Sequence, residues 1–157
     1  MDMISLGKRA KAASKTLARV STEQKNQTLR DIARDLMLRK DAIIAANALD
    51  VSASRARGVE AYFIDRLTLN DARLQTIAND VISVAKLPDP IGEPFDQQTL
   101  PNGMRLHKRR VPLGVIGVIY ESRPNVTIDI AALGLKSGNA VILRGGSDNI
   151  NSNRALL

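Results

Sequence analysis

The sequence predicts an α/β chain: a helical N-terminal layer, then a β-hairpin, then the first strand–helix–strand unit of a parallel sheet that is itself incomplete. Three observations carry this. Apolar residues recur at alternating steps of three and four through the first 85 positions, the period of helices that bury one face. Two strand-like runs, Phe95–Leu100 and Met104–Val111, flank Pro101-Asn102-Gly103, whose Asn-Gly is the strongest short hairpin signal. Two short apolar runs, Val111–Tyr120 and Ala140–Leu143, flank one helical stretch, as in sheets whose parallel strands are covered on both faces. The expected divisions are a helical segment over residues 1–87, a connector and hairpin over 88–111, and the start of a sheet domain over 112–157.

The first helix is read from the stripe Met3, Leu6, Ala10, Ala13, Leu17 and Val20. Ser21 and Gln24 have the spacing of a capping box, in which each side chain serves the other's backbone N–H, so a second helix begins there. Its apolar face is Leu29, Ile32, Ala33, Leu36 and Met37. A third helix runs from about Asp41 to Arg57 and ends at Gly58, which can adopt the left-handed conformation of a helix terminus. A short helical piece follows over 60–66. Asn70 or Asp71 then caps a long helix with Leu74, Ile77, Ala78, Val81, Ile82 and Ala85 on one face.

Pro88, Pro90, Gly92 and Pro94 end that helix and form the connector. In the second hairpin strand Leu106 alternates with Arg105, His107 and Lys108, which predicts one wet face and makes His107 a surface residue. Val111–Tyr120 is expected to be buried on both faces, with Pro112 at its start, where a missing N–H is tolerated. Glu121 to Pro124 is a turn. Asn125 is expected to cap a helix over 126–136 that Gly138 ends. After the second short strand, Arg144 to Asp148 is a polar glycine turn and Asn149 opens another helix. Two parallel strands do not complete a layered architecture. The expectation is an N-terminal piece of a longer α/β protein, or an assembly that needs a partner.

Composition narrows the function. The chain has 157 residues, 44% of them apolar, which is enough for a core. It holds no Cys and one His, so a disulfide framework, a Cys-ligated zinc site and a thiol nucleophile within the chain are excluded. No apolar run approaches the roughly 18 residues of a membrane span, and residues 1–20 lack the segregated regions of a secretory signal; a cytoplasmic protein with no membrane partner is expected. The net charge of +7 is spread along the chain, with 15 basic and 10 acidic groups in residues 1–87. With 3% aromatic residues, stacking platforms for nucleic acid are scarce, so no nucleic-acid partner is expected.

Ligands of open α/β sheets bind outside the carboxyl ends of the strands. Two loops lie there, Tyr120–Asn125 and Arg144–Asp148. In the second, Gly145 and Gly146 would let backbone N–H groups approach a phosphate, with Arg144 and Ser147 as side-chain donors. The spacing is not that of a P-loop, and from spacing alone a plain structural turn is the simpler account. In the first loop, the Asn125 amide could donate to a developing oxyanion, a role for which one donor supplies roughly 2.7–4 kcal/mol; the competing role is a helix N-cap. Arg123 could hold an anionic substrate, or pair with Glu121. Arg144 could equally pair with Asp148.

The stretch from Arg109 to Asp129, containing Tyr-Glu-Ser-Arg-Pro-Asn at 120–125, resembles the gamma-glutamyl phosphate reductases, within the aldehyde dehydrogenase superfamily. So do Leu135 to Gly146, Ala10-Lys-Ala-Ala13 and Asp65-Arg-Leu-Thr68, in the same order along the chain. The resemblance implies a Rossmann-like coenzyme-binding domain beginning at about residue 112. It implies an oxidoreductase of proline biosynthesis that uses NADP(H) to reduce gamma-glutamyl 5-phosphate to glutamate 5-semialdehyde plus phosphate. Asn125 matches the family's oxyanion donor. Arg144 matches a basic residue near the adenosine ribose, with Ser147 leaving room for a 2′-phosphate. Glutamate 5-kinase is an implied partner, and a homo-oligomer is implied at full length. The sequence departs from the pattern in having no Cys, because the superfamily's nucleophilic thiol lies further along the chain. Activity of these 157 residues alone is therefore not expected, and the alternative is a non-catalytic binding or interaction fragment.

Overall fold

The computed structural model describes residues 2–157. Its elements are α1 (Met3–Leu17), α2 (Thr22–Leu38), α3 (Lys40–Ala56), α4 (Ala61–Leu67), α5 (Asp71–Lys86), β1 (Pro94–Thr99), β2 (Arg105–Arg109), β3 (Val115–Ile119), α6 (Pro124–Lys136), β4 (Ala140–Arg144), a 3₁₀ turn over Ser147–Asn149 and α7 (Ile150–Leu156). β1 and β2 form an antiparallel hairpin; β3 and β4 pair in parallel, Val115 opposite Ala140 and Ile119 opposite Arg144. The mixed helix–sheet class, the hairpin and the strand–helix–strand unit are as the sequence predicts.

The helix ends follow local chemistry. Asp2 accepts from Ile4 N and Ser5 N at the start of α1. Ser21 and Gln24 make the reciprocal capping box of α2. Asn70, rather than Asp71, caps α5, its Oδ1 accepting from Arg73 N at 2.8 Å. Gly58 and Gly138, at φ +73° and +68°, close α3 and α6 in the conformation that only glycine takes without strain. The core lies between α2, α5 and α6, where Leu29, Leu36, Leu74, Ile77, Val81 and Ile128 are buried together. Each such side chain contributes about 1.5–3 kcal/mol by leaving water.

Three expectations are corrected. In α1 the stripe is not a core face: Ala10 and Ser14 are buried while Met3 is 70% exposed. The helix touches β3 and β4 through small residues instead of entering the α2–α5–α6 core. The hairpin is wet on both faces, not one, with every residue of β1 and β2 exposed. Its turn is the Pro101-Asn102-Gly103 loop between the two predicted runs. Gly103 N donates to Leu100 O and Leu100 N to Met104 O, so the loop has three residues, and only Gly103 takes a positive φ, of +80°. Asn102 instead accepts from Met104 N through its side chain. Finally, β3 begins at Val115 and is half-buried; Ile119 is 85% exposed. A strand with one neighbour, touched by α1 among the described helices, leaves part of its apolar surface open.

The sheet start is tied tightly. Asn139 Oδ1 accepts from Gly114 N at 2.9 Å, and Ala140 N donates to Gly114 O. Gly134 of α6 faces Val141 so closely that a Cβ there would lie 2.5 Å from its Cγ1. This close approach sets α6 against β4 and thereby fixes where the carboxyl end of the strand pair opens.

Candidate active site

Both loops that follow the parallel strands leave from the same end, because Ile119 and Arg144 are register partners and Tyr120 N continues the ladder to Arg144 O. The first loop is shaped by Pro124. A residue before proline is held out of the helical region, and Arg123 is extended, at φ −125° and ψ 100°. Proline itself loses nothing at the first helical position, where its missing N–H has no partner to find. Arg123 is therefore the N-cap of α6 and Asn125 lies inside the first turn. The N-cap role expected for Asn125 is overturned. Its Nδ2 donates to Asp129 Oδ2 one turn on, at 3.2 Å, which uses one amide hydrogen and leaves the other.

The Asp129 carboxyl is pushed above its ordinary value by burial; Asp80 of α5 adds to this, while the Asn125 hydrogen bond and the Arg123 charge oppose it. Asp80 and Asp129 also line a shared groove between α5 and α6.

The glycine loop is packed hard against the first. A Cβ on Gly145 would lie 2.5 Å from Asn153 Nδ2 and 3.2 Å from the Tyr120 ring; one on Gly146 would collide with Ser122 Oγ. Thr127 donates to Asn153 Oδ1 at 2.7 Å, so the Tyr120 hydroxyl, also 2.7 Å from Thr127 Oγ1, supplies its own proton to that contact. Tyr120, Thr127 and Asn153 thus lock the two loops together. Asp50 of α3, buried, accepts from Ser152 N and Oγ and from Asn151 N and Nδ2, fixing the start of α7 behind them.

Two ion pairs differ from the local alternatives. Asp148 is held by Arg57 at 2.7 Å and accepts from Ser122, not from Arg144. Glu121 faces Arg66 at 3.9 Å, not Arg123. Arg144 is exposed, and its guanidinium donates to the Gly145 carbonyl.

Two clefts open here. One, of about 300 Å³, is lined by Phe63, Arg66, Glu121, Ser122, Arg123 and Gly146, among others. The second, of about 290 Å³, includes Arg66, Arg73, Asp80, Arg123 and Asn125. The structure thus brings Arg123 together with Asn125 in one cleft and with Gly146 in the other. Arg144 and Ser147 are exposed and line neither. Asp129 and Arg66 were missed by sequence reasoning. The first had a signal, since Asn125 and Asp129 are four apart on a helix; Arg66 stood within the Asp65-Arg-Leu-Thr68 stretch of the resemblance but had no signal of place, because the later loop brings it into the clefts. Among the described residues no group of three or more His, Asp or Glu is placed to hold a metal, and no helix is long and apolar enough to cross a membrane.

Fold and site together define an α/β chain with two clefts of mixed charge, both lined by Arg66 and Arg123, at the carboxyl ends of a parallel strand pair. Related proteins share the sequence and the fold closely. The chain is 61% identical over 148 residues to gamma-glutamyl phosphate reductase of Chloroflexus aggregans, covering 94% of this chain and 35% of that protein. It is 57% identical over all 157 residues to the Vibrio cholerae serotype O1 protein of the same name, covering 38% of it. Among solved structures, gamma-glutamyl phosphate reductase of Thermotoga maritima matches with a TM-score of 0.96 at 42% identity, over 99% of this chain and 38% of that one. The Saccharomyces cerevisiae enzyme matches at 0.92 and 33%, over 97% of this chain and 39% of that one. No family model matches the chain. Over nearly its whole length the chain is thus similar to gamma-glutamyl phosphate reductases, and it corresponds to their N-terminal part. It spans 35–38% of the length of the curated relatives it matches.

Proposed function

We propose that residues 1–157 supply the helical layer, the hairpin and the start of the coenzyme-binding domain of an enzyme of proline biosynthesis. That enzyme reduces gamma-glutamyl 5-phosphate to glutamate 5-semialdehyde with release of phosphate. The names of the relatives support the reaction. The observation that carries it on this chain is the meeting of Asn125 and Arg123 in one cleft where the parallel strands end. In acyl transfer the carbonyl oxygen gains negative charge, and a preorganised amide N–H stabilises that charge more than it stabilises the ground state. Asp129 holds one Asn125 hydrogen and so fixes the direction of the amide, while Arg123 adds positive potential beside it.

NADPH is the proposed cofactor, with Arg144, Ser147 and the Gly145-Gly146 turn on its adenosine side. These residues fit: the Arg144 guanidinium and the Ser147 side chain are both exposed just past β4, where they could take a 2′-phosphate through charge-assisted hydrogen bonds. When bound, the cofactor would supply the hydride. The substrate would come from glutamate 5-kinase, and the full-length enzyme is proposed to be a cytoplasmic homo-oligomer.

The test is Asn125→Ala in the full-length enzyme carrying this segment. The expected outcome is a kcat lower by about 10²–10³, the usual cost of one oxyanion donor, with a smaller change in KM. Unchanged kinetics with lowered stability would leave Asn125 as no more than Asp129's helix partner and remove it from the mechanism.

A further inference from the structure

We propose that the junction of the two clefts binds the head group of an α-amino acid, with Arg66 and Arg123 taking its carboxylate and Glu121 its ammonium. This rests on the acyl-transfer reading above and names which end of the substrate lies where.

The arginines near the clefts fall into two sets. Arg57 is spent on structure: it holds Asp148 at 2.7 Å and Ser54 Oγ at 3.1 Å. Arg73 is spent likewise, on the Asp65 carboxylate and carbonyl and on the Thr68 carbonyl. Among the described residues, Arg66 and Arg123 donate no side-chain hydrogen bond. They are also the two arginines that line both clefts. Arg66 is nevertheless held in place. Its guanidinium lies 4.5 Å from the centre of the Tyr62 ring, a contact that fixes the cation while leaving its N–H donors unused. Arg123 hangs from a backbone that Pro124 holds extended. Two guanidiniums with unspent donors, that of Arg66 held on the Tyr62 ring, suit a carboxylate, which accepts in pairs.

Glu121 makes the site more selective than a general anion trap. Its carboxylate is 3.9 Å from Arg66, too far for a hydrogen bond, and its side chain is 79% exposed. An ionised carboxylate only accepts, so it attracts an ammonium and repels a second anion. An α-amino acid presents both charges on one carbon. With its head at Arg66, Arg123 and Glu121, its side chain runs along Arg123 into the second cleft, where Asn125 awaits an acyl group.

The experiment is calorimetric titration of the 157-residue chain with L-glutamate, glutarate and inorganic phosphate. Wild type should bind L-glutamate at least tenfold tighter than glutarate, which lacks the ammonium. Arg66→Ala and Arg123→Ala should each weaken L-glutamate by about tenfold or more, the scale of one charged hydrogen bond. Glu121→Gln should weaken L-glutamate but not glutarate, so that the two converge. Equal binding of all three probes with Glu121→Gln silent would overturn the proposal in favour of a plain anion site, and absence of saturable L-glutamate binding would overturn it outright. Affinity is read here and chemical rate in the Asn125→Ala test. A failure of this proposal therefore leaves a loss of kcat in Asn125→Ala standing, and the reverse also holds.

Discussion

Two carboxylates in this molecule respond to folding in opposite directions. Burial alone would raise Asp89, but hydrogen bonds from Lys25, Ile91 N–H and Thr22 outweigh it and hold the carboxyl below its ordinary value. A depressed carboxyl contributes stability above its unfolded pKa, and that contribution is lost as pH falls through the folded value. Asp129 is raised, first by burial and then by Asp80, so the signs reverse. The folded state then binds more protons than the unfolded one, and the contribution of Asp129 is lost as pH rises from the unfolded value of 3.8 through the folded one. Asp129→Asn should remove that component. The stability of the variant relative to wild type, read as the difference in urea midpoints, should increase as pH rises through this window and level off above it. A difference independent of pH would show that the Asp129 carboxyl titrates alike in both states. Sequence made the Asp129 contact legible only as a spacing. The burial that shifts it comes from α5, far away along the chain.

At the scale of elements, the caps were legible because they are local chemistry: Ser21 with Gln24, Asn70, Gly58 and Gly138 all act where the residue type says they should. Asn125 misled for an equally local reason, since a proline directly before it moves the helix start back to Arg123. The glycine turn after β4 was legible as a turn but not in its cause. Neither Gly145 nor Gly146 has a positive φ; both are small because another loop occupies the space of a side chain. At Gly146 a Cβ meets the Ser122 Oγ, Cβ and backbone N, the last two at 3.1 and 3.2 Å, whereas at Gly145 the nearest atom is the end of the Asn153 side chain. Gly146→Ala should therefore cost about 1–3 kcal/mol, the usual range for overpacking, and more than Gly145→Ala. Ser122→Gly should recover part of the loss in the double variant, because it removes the nearest two of those atoms. Chemical denaturation of the four proteins measures this. If Gly146→Ala left stability intact and lowered only nucleotide affinity, the glycine would be there for phosphate access and not for packing.

For the molecule as a whole, patterning predicted the class and the order of elements but overstated burial. Apolar runs such as Val111–Tyr120 read as covered strands, yet among the described residues β3 has one strand neighbour and keeps Ile119 open. Hydropathy reports what a strand can bury, and coverage depends on what packs against it. The same separation between segment and whole governs chemistry. In the proposed reaction Asn125 and Arg123 would stabilise charge, but stabilising a developing oxyanion requires a nucleophile to create it. The resemblance to the family assigns that task to a thiol, which is a strong nucleophile and a good leaving group, and these 157 residues contain no Cys. Serine and threonine hydroxyls are present, but a hydroxyl needs an adjacent base to attack. The one His is on β2 in the exposed hairpin, not among the residues lining either cleft. The purified 157-residue chain is therefore expected to give no NADP-dependent oxidation of glutamate 5-semialdehyde in the presence of phosphate, the reverse of the proposed reaction. Nicotinamide absorbance at matched protein and buffer concentrations measures it. Turnover above the buffer rate, proportional to the amount of homogeneous chain, would mean that a group other than a thiol captures the acyl carbon, and the clefts around Arg123 would be the first place to seek it.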